Sequence, residues 1–463
     1  MVDLQRGKLP HMTFAYADLF AGIGGFHAAM TAAGGTCVFV SEIDEAAAAV
    51  YERNWGDSVE PADGRPVIEG DIVPVTEPRV AHWMPQLDVL CAGFPCQPFS
   101  KSGFQRGINE TRGTLFFNIA KILENRRPAV ILLENVRNLA GPRHRETWAT
   151  IVETLRDLGY RVSDTPTVFS PHLLPPQLGG TPQIRDRVFI AATYVGKKRA
   201  WADRDIQPTL PKRPVAGWDP KTWNLERDLP LEPESPSTSR YALSAAEREW
   251  VHVWDDFVQR LLEFRQGRQL PGFPLWADAF KARPAISHDT PAWKADFLRK
   301  NSAFYVSHRP VIDAWRRDHP EFAAFPTSRR KLEWQAQDAA SLWDCVMHFR
   351  PSGIRAKQAT YTPALVAITQ TSIIGGARKR RLTPREGARL QGLPEWFDFG
   401  DQTDAATYKQ LGNGVAVGAA YHVFRTHVLN DPDVPEHIRD AVLAGGGKPV
   451  VLRVEPRQRR QTA

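Results

Sequence analysis

Over the first 195 residues, short apolar runs alternate with longer stretches whose apolar positions recur at helical spacing. Phe14–Phe20, Cys37–Ser41, Asp88–Ala92, Ala129–Leu133 and Val188–Thr193 have the length and β-rich composition of strands. Gly24–Ala33, Glu45–Asn54, Leu115–Glu124 and Glu146–Leu158 read as helices. Such alternation predicts βαβ units and a mostly parallel sheet. From about Asp203 to Thr238 the pattern stops. Pro208, Pro211, Pro214, Pro220, Pro230, Pro233 and Pro236 disfavour regular structure, so a linker or extended loop is expected.

A helical region follows. Ser244 and Glu247 make a capping-box pattern, after which Trp250, Val251, Trp254, Phe257, Val258, Leu261 and Leu262 share one helical face. Ten of the 14 tryptophans fall between Trp201 and Trp343. Core packing is the ordinary use of such density, and base stacking is the other. A strand-like stretch, Leu365–Ile374, leads into the basic cluster Arg378, Lys379, Arg380 and Arg381. Thr383, Pro384 and Glu386 then mark a helix start with cap, first-turn proline and capping box. After Gly445-Gly446-Gly447 the arginine-bearing tail is expected to be flexible.

Composition narrows the partners. The 463 residues allow a large core and two to four domains, with 24% charged and 42% hydrophobic residues as in ordinary soluble globular proteins. No apolar run approaches the roughly 20 residues needed to span a bilayer. The N-terminal Asp3, Arg6 and Lys8, without a long apolar run, do not read as a secretory signal, so a cytoplasmic protein is expected. A net charge of +7 suits a polyanionic partner without identifying one. The four cysteines, Cys37, Cys91, Cys96 and Cys345, are too few and scattered for a disulfide framework, and no spacing reads as a metal site. Each is expected to be a free thiol, serving either packing or chemistry.

Four constellations carry candidate chemistry. Asp18-Leu-Phe-Ala-Gly-Ile-Gly-Gly-Phe26 follows a strand and opens a helix, where glycines let backbone approach a ligand closely. Glu42, at the next strand end, can accept from ribose hydroxyls, and Asp71 from an adenine amino group. The glycines at 22, 24 and 25 do not make the full dinucleotide fingerprint, so a nucleoside without pyrophosphate fits better. Gly93-Phe-Pro-Cys96-Gln-Pro-Phe-Ser100 follows the third strand, which puts Cys96 on the ligand side of the sheet, between stiffening prolines. Cys91, inside the strand, reads as core. Glu134-Asn135-Val136 ends the fourth strand on the same edge, either as an acid or as a simple cap. In Gln183-Ile-Arg185-Asp-Arg187, arginines two apart point to one side of a strand, to clamp a phosphate or base edge or merely to solvate it.

Together these blocks resemble the DNA cytosine-5 methyltransferase family, in the family's own order. Arg112-Gly-Thr-Leu-Phe-Phe117, Arg381-Leu-Thr-Pro-Arg-Glu386 with Arg389-Leu-Gln-Gly392, and Tyr408-Lys-Gln-Leu-Gly-Asn413-Gly-Val415 complete the set. The resemblance covers residues 14–195 and about 378–428. It implies an α/β fold: a Rossmann-like, mostly parallel sheet of the S-adenosylmethionine-dependent methyltransferase type, with a second, smaller target-recognition domain. The catalytic domain would comprise 12–195 plus 405–435, target recognition 196–404, and a basic tail 436–463. Cys96 matches the nucleophile, Glu134 the acid at the ring N3, and Arg187 the residue holding the ring oxygen, with Arg185 in support. The cofactor would be S-adenosylmethionine: Phe20, Asp71 and Ile72 at adenine, Glu42 at ribose, and Asn413 with Val415 at the methionine end. Gly22, Gly24, Ile43, Pro95 and Leu115 complete the cofactor set.

The resemblance further implies a double-stranded DNA substrate whose target base is flipped out, because the chemistry cannot occur inside a stacked duplex. The segment Gln97–Arg106, with Ser100 and Lys101, would close over that base. The recognition region is longer than a minimal one. Its end, Phe349–Lys357, with Arg355 and Lys357, is the expected DNA-facing part, the other reading being a basic solvated loop. Expected partners are DNA and a cognate restriction endonuclease, with no membrane, no metal and a monomeric state. Two alternatives remain at this level: a tRNA cytosine-5 methyltransferase, disfavoured by the large recognition region and the Arg378–Arg381 cluster, and a catalytically silent DNA-binding module.

Overall fold

The computed structural model describes residues 13–61, 67–77, 84–95, 115–203, 206, 209–210, 212–367 and 373–445. The chain divides into two compact units: residues 1–220, 364–369 and 388–463 form the first, and 221–363 with 370–387 the second.

The first unit contains β1 (Phe14–Leu19), β2 (Gly35–Ser41), β3 (Val89–Gly93), β4 (Val130–Val136), β5 (Tyr160–Arg161), β6 (Thr167–Phe169), β7 (Gln183–Ile184) and β8 (Arg187–Tyr194). A seven-stranded sheet runs in the order β2-β1-β3-β4-β8-β5, with β6 also on β8. The pairs β1–β2, β1–β3 and β3–β4 are parallel, and β8 runs antiparallel to β4, Val136 lying opposite Arg187. The α/β class with a mostly parallel sheet is the one expected. Val130 to Leu133 are wholly buried, because a central strand covered on both faces selects a continuous apolar run rather than alternation.

Helices Gly25–Ala32, Glu45–Trp55, Leu115–Arg126 and Arg145–Asp157 lie where helical spacing places them. Asp44 caps the second of these by accepting from the Ala47 amide at 3.1 Å. The strand order reverses between β1 and β3, one neighbour lying toward β2 and the other toward β4. That reversal opens a crevice at their carboxyl ends, where open α/β sheets bind ligands. The late helix Val417–Asn430 returns to the same unit, its Phe424 ring 5.6 Å from Phe14.

The unit boundaries differ from the expected 195/196 and 404/405. Residues up to Pro220 stay with the first unit because Val215 donates to the Leu173 carbonyl at 3.0 Å, Lys212 pairs with Asp186 at 2.6 Å, and the Trp218 indole donates to the His172 carbonyl at 3.1 Å. The expected linker is therefore pinned in that part. Residues from 388 belong there too: Asn54 and Asp398 exchange hydrogen bonds of 2.8 and 2.7 Å.

The second unit contains β9 (Leu275–Trp276), β10 (Lys331–Gln335), β11 (Cys345–Arg350), β12 (Gly353–Gln358), β13 (Thr362–Pro363), β14 (Ile373–Gly375) and β15 (Arg380–Arg381). Its six-stranded sheet has the order β15-β14-β11-β12-β10-β9. One face packs against the helix Ala245–Phe264, whose Val251, Trp254, Phe257, Val258 and Leu261 join Leu332, Trp334, Met347 and Ile354 in one core. Each such burial contributes about 1.5–3 kcal/mol. Both capping boxes form: Glu247 accepts from Ser244 at 3.0 Å, and Glu386 from Thr383 at 2.9 Å.

Much of the tryptophan density is core. Trp254 and Trp315 are wholly buried, and the Trp315 indole donates to the Val253 carbonyl at 3.0 Å. The expected strand Leu365–Ile374 is not found as such: 364–367 are irregular, 368–372 lie outside the described residues, and the strand is Ile373–Gly375. Nor is the Arg378–Arg381 cluster a free basic surface. Arg380 forks onto Glu386 at 2.9 and 2.7 Å, and Arg381 pairs with Glu247. No helix among the described residues is long and apolar enough to cross a membrane.

Candidate active site

Where β1 gives way to the glycine loop, Phe20 and Gly22 take positive φ angles of 55° and 56° and turn the chain back over the sheet. The Ala21 amide donates to the Ser41 carbonyl at 3.1 Å, fixing the loop beside the end of β2. Glu42 then accepts from the Gly22 amide at 2.7 Å and the Asp44 amide at 2.8 Å, one to each carboxylate oxygen. Each oxygen keeps a further lone pair for a ligand. The Ser41 hydroxyl donates to the Gly70 carbonyl at 2.9 Å, which brings the Gly70-Asp71 turn alongside. Asp71 caps the short helix Ile72–Val75 by accepting from Val73 at 2.9 Å; Ile72 is buried, and Ile43 is 67% exposed.

A bare isoleucine beside a carboxylate with unused lone pairs offers a ring surface next to hydroxyl acceptors. The segments 18–26, 41–44 and 70–73 contain acids but no lysine or arginine. That donor set suits a nucleoside and does not suit a phosphate. Gly24, with φ 90°, stands at the cap position of the helix Gly25–Ala32.

Across the crevice, three strand ends meet at Gly93. A side chain there would begin 3.7 Å from Val415 Cγ2, 3.8 Å from Glu134 Oε2 and 3.9 Å from the Phe20 carbonyl oxygen. Gly25 is tighter still, since a Cβ would lie 2.5 Å from the Val415 carbonyl oxygen, so only glycine admits the returning loop. The Asn135 side chain, 2% exposed, donates to the Phe94 carbonyl at 2.8 Å and anchors the chain just before Pro95, which is exposed. Cys96, Gln97, Ser100 and Lys101 lie outside the described residues. Leu115 starts its helix and packs partly buried on the core.

Glu134 pairs with Arg187, Nε to Oε1, at 2.9 Å. Burial raises the Glu134 carboxyl above the usual range, with Arg187 and Arg185 opposing. Arg185 serves a different purpose from Arg187. It is buried and donates to the carbonyls of Leu365 at 2.8 Å, Gly412 at 2.8 Å and Gly414 at 2.6 Å. Burial, then the charge of Arg187, pulls it down to about 9, so it stays cationic at neutral pH. It ties the turn bearing Asn413, which is exposed, and Val415 to the edge of the sheet. The Ser170 hydroxyl accepts the Arg185 amide at 2.8 Å. Neither Ser170 nor the anchoring bond of Asn135 was foreseen, because both partners are distant in sequence and one is backbone.

The remaining thiols are inert by environment. Cys37, Cys91 and Cys345 are buried, and burial pushes Cys37 and Cys345 up to about 12 and Cys91 well above its ordinary value. Arg355 and Lys357 lie on β12, in the second unit.

Glu42, with lone pairs to spare, and the buried Glu134 thus stand at the carboxyl-end switch point of a mostly parallel sheet. Residues 14–428 match the family model of C-5 cytosine-specific DNA methylases. The chain belongs to that family and is a DNA cytosine-5 methyltransferase. It is 47% identical over 490 residues to Type II methyltransferase M.AluI of Cellulosimicrobium cellulans, covering 90% of this chain and 92% of that one. Type II methyltransferase M1.ScrFI of Lactococcus lactis subsp. cremoris is 41% identical over 404 residues, covering 86% and 74%. Type II methyltransferase M.BanI of Aneurinibacillus aneurinilyticus is 28% identical over 447 residues, covering 88% and 94%.

Proposed function

We propose that the enzyme methylates carbon 5 of a cytosine flipped out of a specific double-stranded DNA sequence, with S-adenosylmethionine as donor and Cys96 as nucleophile. The observation that carries this reading is the meeting of Glu134, Phe20 and Val415 at Gly93, three residues before Cys96. The burial of the other three thiols supports it, since a thiolate is the reacting form. The donor supplies an electrophilic methyl group. Glu42 takes its ribose hydroxyls, Phe20, Ile43 and Ile72 its adenine ring, and Asp71 the adenine amino group. Asn413 and Val415 hold the methionine end, and Gly22, Gly24, Pro95 and Leu115 shape the remaining walls.

Carbon 5 of cytosine is a poor nucleophile. Addition of the Cys96 thiolate to carbon 6 forms a C–S bond and moves electron density to carbon 5. Glu134, whose carboxyl burial shifts toward the protonated form, donates to N3 and favours that addition. Arg187 holds the ring oxygen, and Arg185 acts as a positioning residue through the 412–414 turn. After carbon 5 gains its methyl group, loss of its proton to a base and cleavage of the C–S bond regenerate Cys96. Gln97, Ser100, Lys101, Arg355 and Lys357 contact DNA. The enzyme acts as a monomer in the bacterial cytoplasm, as the modification half of a restriction–modification pair, a role supported by its bacterial relatives.

The test is methylation-sensitive sequencing of DNA from a host expressing the chain, beside parallel assays on duplex DNA and tRNA. Methyl groups at carbon 5 within one short duplex motif are expected. Labelled methyl appearing only on tRNA would overturn the reading.

A further inference from the structure

The second unit's sheet packs its apolar core on one face and carries mostly polar and charged side chains on the other. Trp334, Met347, Ile354 and Ala356 point into the core. The alternate positions of β10, β11 and β12 point away from it. The register sets Glu333 opposite Arg355 and Arg355 opposite His348, so the three form a row across three strands. Lys331, Arg350 and Lys357 share that face, giving four cations around a single carboxylate on these three strands.

That carboxylate is not a random surface partner. Glu333, with a side chain 11% exposed, takes Arg355 Nε at 2.7 Å and Nη2 at 2.6 Å, the Ser352 hydroxyl at 3.1 Å and Arg350 Nη1 at 3.5 Å. The inner edge of the Arg355 fork is thereby fixed, while Nη1 has no partner among the described residues and the side chain is 31% exposed. Burial, helped by Arg350 and Arg355, pushes His348 down to about 4, so a neutral ring stands beside the fork. A merely solvated basic surface has no need of a largely shielded carboxylate that locks a guanidinium in one orientation.

We propose that this face reads the DNA target: the outer edge of Arg355 donates to O6 and N7 of a guanine, and Glu333 is the positioning residue that aims it. Two donors in a planar fork match that pair of acceptors in the major groove. The inference rests on the DNA-methylating function proposed above.

The test uses the full chain and the duplex motif found by sequencing, with each guanine replaced in turn by 7-deazaguanine to remove N7. For the wild type, one replacement should lower kcat/KM about 10-fold or more. In Arg355→Lys, which keeps the charge and loses the fork, and in Glu333→Gln, the same replacement should cost nothing further, while discrimination at the other positions persists. Glu333→Asp should restore part of the wild-type profile. An Arg355→Lys enzyme with an unchanged profile at every guanine would overturn the proposal. So would a uniform loss of affinity with a shallower salt dependence, the mark of a phosphate contact. Failure of the wild type to methylate any duplex would instead overturn the function on which it rests.

Discussion

Replacing Asn135 by alanine probes how the strand ends hold the nucleophile loop. Its amide donates to the Phe94 carbonyl at 2.8 Å, and its side-chain oxygen accepts from the Val136 amide at 2.8 Å. Phe94 is 5% exposed and Val136 42%, so after truncation water reaches the second group and not the first. One buried carbonyl left unsatisfied costs about 1–3 kcal/mol. Because Phe94 stands two residues before Cys96, that cost falls on the loop that must present the thiol. A displacement on the order of 1 Å there lowers the chemical step up to about 100-fold. Single-turnover methyl transfer with labelled donor should fall about 10- to 100-fold in Asn135→Ala, with donor affinity unchanged within about two-fold. Asn135→Asp keeps the acceptor for Val136 but cannot donate to Phe94, so it should be at least as slow. Wild-type single-turnover rates in both variants would refute the anchoring argument.

Three further outcomes follow from the same geometry. Arg185→Lys replaces the two spaced donor nitrogens that reach the three carbonyls by a single one, and should lose on the order of 3–5 kcal/mol of stability in urea unfolding; an unchanged midpoint would contradict its role as a tie. Glu42→Ala removes the acceptor facing the cradle and should weaken donor binding about 10- to 100-fold in calorimetry without DNA, and an unaltered affinity would remove Glu42 from the cradle. Glu134 has a raised carboxyl, so the folded state holds its proton where the unfolded chain has released it. The stabilising contribution is full below the ordinary value of 4.5 and is lost as pH rises through the folded value. Glu134→Gln should remove that slope from pH-dependent unfolding curves, and a slope identical to wild type would place the titration elsewhere.

Legibility in the sequence tracked how local each determinant is. Strands β3 and β4 were readable because full burial selects unbroken apolar runs, and the capping boxes at Ser244 and Thr383 because both partners lie within one turn. The unit boundaries were not, since they depend on pairs such as Asn54 with Asp398, 344 residues apart. Arg380 and Arg381 looked like free cations because nothing in a basic run announces that Glu386 and Glu247 will meet them. Arg185 read either as a clamp or as edge solvation because its acceptors are backbone carbonyls, which leave no residue-type signature. Glu333 escaped notice for a related reason: its importance lies in strand register, which places it opposite Arg355.

The most direct measurement is mass spectrometry of the full chain incubated with donor and duplex DNA carrying 5-fluorocytosine at the methylated position. Fluorine cannot leave as a proton does, so the C–S bond should persist as a one-to-one adduct mapped to the peptide containing Cys96, and Cys96→Ser should form none. An adduct on Cys37, Cys91 or Cys345, or undiminished turnover in Cys96→Ser, would contradict the account.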